Sequence, residues 1–114
     1  MLVPLAHVAD LQRSIDFYAS LGFAVEERYE QEGWLLWCRL RRERAELMLA
    51  LATEPVHDHA QGMLFYLYVD DLDAIRATPG LEARPIQEHD APRPAREMRL
   101  QDPDGYVLMV AELT

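Results

Sequence analysis

The feature that most constrains the fold of this chain is an internal repeat. Residues 8–11 (VADL) and residues 69–72 (VDDL) are alike and lie about 61 residues apart. In each copy a short apolar run comes before the motif, a helical pattern follows it, and three further strand-like runs come after the helix. Repetition at such a spacing indicates that one supersecondary unit has been duplicated. The sequence therefore predicts an α+β fold of two βαβββ modules within a single domain of 114 residues.

The first module is predicted to cover residues 1–52. Its helix is expected over residues 11–21, where apolar residues recur at helical spacing. Asp10 precedes this segment as a favourable N-cap, and Gly22 follows it at the C′ position, where a positive φ suits glycine. Strands are predicted over residues 3–8, 23–29, 34–40 and 46–51.

The second module is predicted to cover residues 62–114, after a linker at residues 53–61. A short helix is expected to open at residues 71–75 and to end before Pro79 and Gly80. Residues 102–105 (DPDG) predict a type I turn that joins the last two strands. Strands are predicted over residues 63–69, 81–87, 96–101 and 106–113, of which the segment 81–87 is the weakest.

Strand alternation predicts that each sheet has two apolar faces. Leu64, Tyr66 and Tyr68 share one face of their strand, while the residues between them face the helix. In the third strand, Leu35 and Trp37 likewise lie opposite an apolar face that helps to form the core. A sheet that is apolar on both sides has to bury both. The face away from the helix is therefore expected to cover either a ligand cavity or another subunit.

Charge and composition argue against several classes of protein. Twenty acidic and eleven basic residues give a formal net charge of -9, so a nucleic-acid partner would be repelled. No apolar run approaches the length of a membrane-spanning helix, and the amino terminus lacks the features of a signal peptide. We therefore expect a cytoplasmic protein with neither nucleic-acid nor membrane partners. The one basic cluster is interpreted as a solvated hairpin tip and comprises Arg39, Arg41, Arg42 and Arg44.

Two motifs resemble a known family. Residues 10–18 (DLQRSIDFY), with residues 21–23 (LGF) after them, resemble the opening of bacterial glyoxalase I. Residues 102–106 (DPDGY) resemble the signature before that family's last strand. Together with the repeated βαβββ pattern, they give the chain its resemblance to the vicinal oxygen chelate superfamily of glyoxalases, bleomycin-resistance proteins and extradiol dioxygenases. The resemblance implies a curled mixed-sheet cup and a homodimer, with modules paired within one chain or exchanged between two.

The metal-ligand positions of that superfamily fall here on Val3, Glu46, Leu64 and Met109. Zn²⁺, Ni²⁺ or Fe²⁺ requires three or four N, O or S donors, and Glu46 is the single strong donor in this set. We therefore expect no metal and no other cofactor, and we interpret Glu46 as a charged group beside the arginine cluster. Without a metal, the family's usual reactions lose their electrophile.

The loss of the metal ligands resembles the bleomycin-resistance branch. That resemblance implies a metal-free protein that binds an aromatic or cationic small molecule in a cavity at the dimer interface. Two alternatives remain open: an enzyme with a non-standard base such as Glu46 or His7, and a structural module whose cavity is filled by its own side chains. The predicted ligand-binding residues are Leu5, His7, Leu35, Trp37, Leu64, Tyr66, Tyr68 and Met109.

The remaining titratable candidates are assigned smaller roles. His57 and His59 are expected to be exposed to solvent in the linker. His89 lies in the proline-rich segment 84–96, interpreted as a mobile loop that could cover the cavity mouth. Cys38 alternates with apolar residues and is predicted to be a buried, unreactive thiol.

Overall fold

The chain forms two compact units, Met1–Asp58 and His59–Thr114, in a computed structural model that describes residues 1–59, 61–82 and 84–114. The first unit contains β1 (Leu5–Val8), α1 (Leu11–Ala19), β2 (Ala24–Gln31), β3 (Trp34–Arg42) and β4 (Ala45–Leu51). The second contains β5 (Leu64–Tyr68), α2 (Leu72–Arg76), β6 (Gln87–His89), β7 (Ala95–Gln101) and β8 (Val107–Leu113).

The two units repeat one topology. The strand order is β1-β4-β3-β2 in the first sheet and β5-β8-β7-β6 in the second. In each sheet the first strand pairs in parallel with the last, and the remaining neighbours are antiparallel. The prediction of an α+β fold built from a duplicated βαβββ unit is confirmed.

The core of the first unit lies between α1 and one face of its sheet. The Asp10 side chain accepts a hydrogen bond from the backbone N–H of Arg13 at 3.1 Å and so caps the helix. Tyr18 and Leu21 are fully buried, as are Val8, Cys38 and Leu49 on the strands. Burial raises the pKa of the Cys38 thiol, which disfavours the reactive thiolate. The prediction of a buried cysteine is confirmed.

The DPDG segment forms the predicted turn, in the second unit. The Asp102 carboxylate accepts hydrogen bonds from the backbone N–H groups of Asp104 and Tyr106, both at 2.9 Å. Gly105 donates its N–H to the carbonyl of Asp102 at 3.0 Å and adopts a φ of 87°, a conformation that is inexpensive for glycine. This turn sets the register in which β7 and β8 pair.

One predicted strand was wrong. Residues 81–87 were expected to form it, but the sheet's fourth strand is Gln87–His89, and Ala83 lies outside the described residues, as does Ala60 of the predicted linker. Pro85 lacks the N–H that a paired strand donates, so pairing with β7 begins only beyond it. The prediction that the segment 84–96 forms one mobile loop was also wrong in part, because both β6 and the start of β7 lie within it.

The lengths of the helices can be compared with the prediction that the chain has no membrane-spanning segment. Over the described ranges, no helix is both long enough and apolar enough to cross a membrane. The longer of the two helices, α1, has nine residues.

Candidate functional site

The face of the second sheet that lies away from α2 carries most of the site. Because paired residues point to the same side of a sheet, the register aligns their side chains in rows across the strands. One row joins Tyr66, Met109 and Arg99. The next row joins Tyr68, Ala111, Glu97 and Gln87, and the last joins Leu113, Ala95 and His89.

A cavity of about 290 Å³ opens over the second and third rows. Its position follows from side-chain size, since Ala95 and Ala111 are small and are flanked by larger residues. The segment before β7 contributes a further wall through Pro92 and Arg93. The cavity is lined by Tyr66, Tyr68, His89, Ala91, Pro92, Arg93, Ala95, Glu97, Ala111 and Leu113.

Two stacked tyrosines form the aromatic side of this cavity. The rings of Tyr66 and Tyr68 lie 5.9 Å apart between centroids, with an interplanar angle of 24°. Both residues are about half exposed, at 51% and 46%. Aromatic residues of this size are usually covered, either by other parts of the chain or by a partner. The pair therefore offers a flat apolar surface to a molecule that enters the cavity.

A nearly buried carboxylate lies beside the tyrosines. The side chain of Glu97 is only 10% exposed, and its Oε1 lies 2.6 Å from Nε2 of His89. The two atoms lie within ion-pair distance, but their geometry is not that of a hydrogen bond. Nε2 of His89 accordingly has no hydrogen-bond partner within the described residues. Desolvation and the nearby Glu97 carboxylate raise the pKa of Tyr66. Tyr66 thus remains a neutral hydroxyl donor, and Glu97 supplies the negative charge.

Arg93 covers one tyrosine. Its guanidinium carbon lies 5.2 Å from the centre of the Tyr68 ring, in a cation–π contact, and its Nη2 donates a hydrogen bond of 2.6 Å to the Tyr68 hydroxyl. The Tyr68 ring therefore already binds one cation, in a geometry that a cationic ligand group would share.

The predicted ligand residues of the first unit lie on the corresponding face of its own sheet. His7 pairs with Ala50, which pairs with Trp37, so that both predicted side chains point to the same side. Leu5 belongs to the same face of β1 and is 41% exposed. Leu35, nearer the start of β3, is partly buried.

Glu46, in the first sheet, is bound by two arginine side chains. Its side chain is 4% exposed, and Oε1 accepts hydrogen bonds from Arg39 Nη1 and from Arg41 Nη2, the latter at 2.6 Å. Glu26 and Glu27 also pair with these arginines. Since two guanidiniums already neutralise Glu46, it is poorly suited to act as a base.

The interpretation of the arginine cluster as a solvated hairpin tip was therefore wrong for three of its four members. Arg39, Arg41 and Arg42 lie within β3 and are partly buried, where glutamates or a backbone carbonyl bind them. Only Arg44 lies at the exposed turn. The run of charges looked solvent-exposed because its acidic partners lie on the neighbouring strands β2 and β4, and the pairing register that places them beside the arginines cannot be seen along β3 alone.

The superfamily's metal does not fit these residues. Val3 and Leu64 carry only hydrocarbon side chains, Met109 offers a weak thioether, and the Glu46 carboxylate is already bound by arginines. A divalent metal needs several strong donors that converge on one point. Within the described ranges, no group of three or more His, Cys, Asp or Glu side chains could hold a metal ion.

The structure brings together only part of the predicted set. Tyr66 and Tyr68 line the cavity, whereas Leu64 and Met109 share their sheet face but lie outside it. His57 and His59 are exposed, as predicted. Glu97 and Arg93 were missed. The sequence could have indicated Glu97, because it lies two residues after Ala95 and therefore on the same face of β7. Its contact with Tyr66 depends on the register of three strands.

The chain belongs to the Glyoxalase/Bleomycin resistance protein/Dioxygenase superfamily, whose family model matches residues 4–110. This agrees with the repeated topology and with the resemblance seen in the DPDGY and DLQRSIDFY motifs. A comparison with curated proteins finds no match.

Among solved structures, the chain is similar to proteins described as antibiotic-binding or as bleomycin resistance determinants. A bleomycin resistance determinant encoded on transposon Tn5 shares 18% identity at a TM-score of 0.75, covering 99% of this chain and 97% of that one. The antibiotic-binding protein TnmS3 from Streptomyces sp. CB03234 shares 20% identity at a TM-score of 0.73, covering 98% and 93%. The bleomycin-binding protein from Streptomyces verticillus shares 20% identity at a TM-score of 0.66, covering 96% and 92%. These likenesses show the fold.

Proposed function

We propose that this chain is a metal-free protein that binds and sequesters a small molecule carrying an aromatic or cationic group. The observation that carries the proposal is the pair of stacked, half-exposed tyrosines beside the nearly buried Glu97, in a cavity of about 290 Å³. Aromatic faces bind flat groups and cations, and the carboxylate gives the site a charge preference.

The electrostatics favour a cation over an anion at this cavity. A carboxylate that is largely removed from water costs free energy unless a positive group offsets it. Glu97 contacts a histidine and a tyrosine hydroxyl, and among the described residues no arginine lies within ion-pair distance of it. The net charge of -9 also attracts cations to the molecule as a whole. A cationic group that enters the site would displace Arg93 from the Tyr68 ring and take over its contact.

The cavity within one chain is small compared with the pockets that bind large ligands. Pockets for drug-sized ligands typically measure about 300–1,000 Å³, so this one accommodates a single ring system. The remainder of a larger ligand, such as the bleomycin named for the related structures, would lie on the surrounding sheet face. We propose that a second copy of the chain covers that part, in a homodimer whose interface completes the cavity. The predicted residues Leu5, His7, Leu35 and Trp37 are then candidates to contribute from the partner.

The proposal is tested by native mass spectrometry and calorimetry with three probes. These are bleomycin, phenyltrimethylammonium, and tert-butylbenzene as its uncharged isostere. We expect a stoichiometric complex with at least one of the two cations and weaker binding of tert-butylbenzene. Tyr66→Ala or Tyr68→Ala should weaken that complex by about three- to thirtyfold, the value of one aromatic or cation–π contact.

Trp34→Ala is the matched control. Trp34 is an aromatic residue that is 70% exposed. It lies on the same face of β3 as Cys38, opposite to the face that carries Trp37. Its loss should leave affinity unchanged. Failure of all three probes to bind would contradict the proposal and would favour a structural or interaction module.

A further inference from the structure

A second cavity, of about 420 Å³, lies on the same sheet but beyond the tyrosines. Arg99 and Met109, cross-strand partners on β7 and β8, form part of it. Arg84 and Pro85, which come before β6, form another wall with Gln87. It shares Glu97 with the first cavity.

The two arginines of this cavity differ from the ion-paired arginines of β3 and β7. All eleven residues counted as lysine or arginine are arginines, and at least five of them lie within ion-pair distance of an acidic side chain, as Arg39 and Arg96 do. Arg84 and Arg99 are exposed, and among the described residues neither has an acidic side chain within ion-pair distance. In a chain with such an excess of acidic groups, two uncompensated guanidiniums in one cavity form a local positive site.

The side chains around these arginines determine which kind of ligand the cavity can bind. A guanidinium presents a planar fork of donors that matches the two oxygens of a carboxylate. The Met109 thioether and the Pro85 ring offer apolar surface to a flat group. Glu97 does not neutralise the site, since its carboxylate faces His89 and Tyr66 in the neighbouring cavity.

We propose that Arg84 and Arg99 bind the carboxylate of a small aromatic acid in this second cavity. Met109 stands at a position where, by the resemblance described above, relatives hold a metal ligand. In this chain the positive charge next to that position comes from Arg99 instead of from an ion. The site is distinct from the tyrosine cavity and selects the opposite charge.

The test is an NMR titration with benzoate and with benzamide, which has the same shape without the charge. We expect benzoate to shift the side-chain Nε–H resonances of Arg84 and Arg99 saturably, and benzamide to leave them unchanged. Arg99→Gln and Arg84→Gln should each weaken benzoate binding by about ten- to a hundredfold, as the loss of a charge-assisted hydrogen-bonded pair does.

Arg44→Gln is the matched control, since it removes the same charge from an exposed turn and should leave the affinity unchanged. Tyr68→Ala should also leave benzoate binding intact, because Tyr68 lines the first cavity and not the second, so failure of this proposal is distinguishable from failure of the tyrosine site. Equal binding of benzamide, or equal weakening by Arg44→Gln and Arg99→Gln, would overturn the proposal.

Discussion

At the scale of single residues, Glu97 has the most unusual environment in the second unit. It is a carboxylate on a strand, it is nearly buried, and it contacts a histidine and a tyrosine instead of an arginine. In the first unit, by contrast, the nearly buried Glu46 is bound by two arginines. Because no arginine among the described residues pairs with Glu97, its carboxylate makes the tyrosine cavity suited to binding a cation, whereas the arginines around Glu46 already occupy that carboxylate.

Glu97→Gln should lower the pKa of Tyr66 toward its ordinary value, near about 10. The nearby negative charge disfavours loss of the phenolic proton, so its removal makes the tyrosinate easier to form. The pKa is measured from the Cζ chemical shift of Tyr66 as pH is raised.

Glu88→Gln is the control for that measurement. Glu88 is the neighbour of His89 on β6, but it is exposed and points to the opposite face of the strand. We expect no comparable change in the titration of Tyr66. An unaltered Tyr66 titration in Glu97→Gln would show that the carboxylate does not act on this hydroxyl.

At the scale of elements, a hydrogen bond from Arg42 links β3 to the segment that follows α1. Arg42 donates its Nε–H to the carbonyl of Leu21 at 2.9 Å. Gly22 follows with a φ of 93°, and a Cβ built on it would lie 3.0 Å from Nε of Arg42. The glycine is therefore required both by the backbone conformation and by the close approach of the arginine.

Gly22→Ala should lower the free energy of unfolding more than Gly33→Ala does. Gly33 also has a positive φ, of 82°, but a Cβ there would meet nothing within 4 Å. Both variants incur the cost of a left-handed backbone, about 1–2 kcal/mol. Gly22→Ala should lose about a further 1 kcal/mol, because Arg42 has to shift and its hydrogen bond is lost.

Urea denaturation followed by circular dichroism measures both variants. The double variant Gly22→Ala/Arg42→Ala serves as the control, since removing the arginine should abolish the additional cost relative to Arg42→Ala alone. If Gly22→Ala and Gly33→Ala destabilise the protein equally, the contact with Arg42 is of no energetic consequence.

At the scale of the whole molecule, exposed apolar side chains gather on one face of the second sheet. Leu64, Tyr66, Tyr68 and Leu113 are each about half exposed and share that face by register. A large exposed apolar patch on a protein usually marks a surface that binds a ligand or another protein. The proposed homodimer would cover this patch and leave the cavity within it.

Leu64→Asp should convert the proposed dimer into a monomer, because it places a charge in the apolar interface. Analytical ultracentrifugation should give the wild-type protein twice the chain mass of 13.2 kDa and the variant a single chain mass. Leu2→Asp, at a position that is 96% exposed, is the control and should remain dimeric. A monomeric wild type would contradict the proposed interface.

The sequence by itself determined the order of the elements, the duplication, and which side chains of each long strand share a face. These features depend on local spacing, such as the alternation of Leu64, Tyr66 and Tyr68 or the turn at Asp102. Only the tertiary structure decided the position of β6, the pairing of the β3 arginines with glutamates, and the meeting of Glu97 with Tyr66 and His89. Each of these depends on the register between paired strands, which brings together side chains that the alternation along a single strand does not relate.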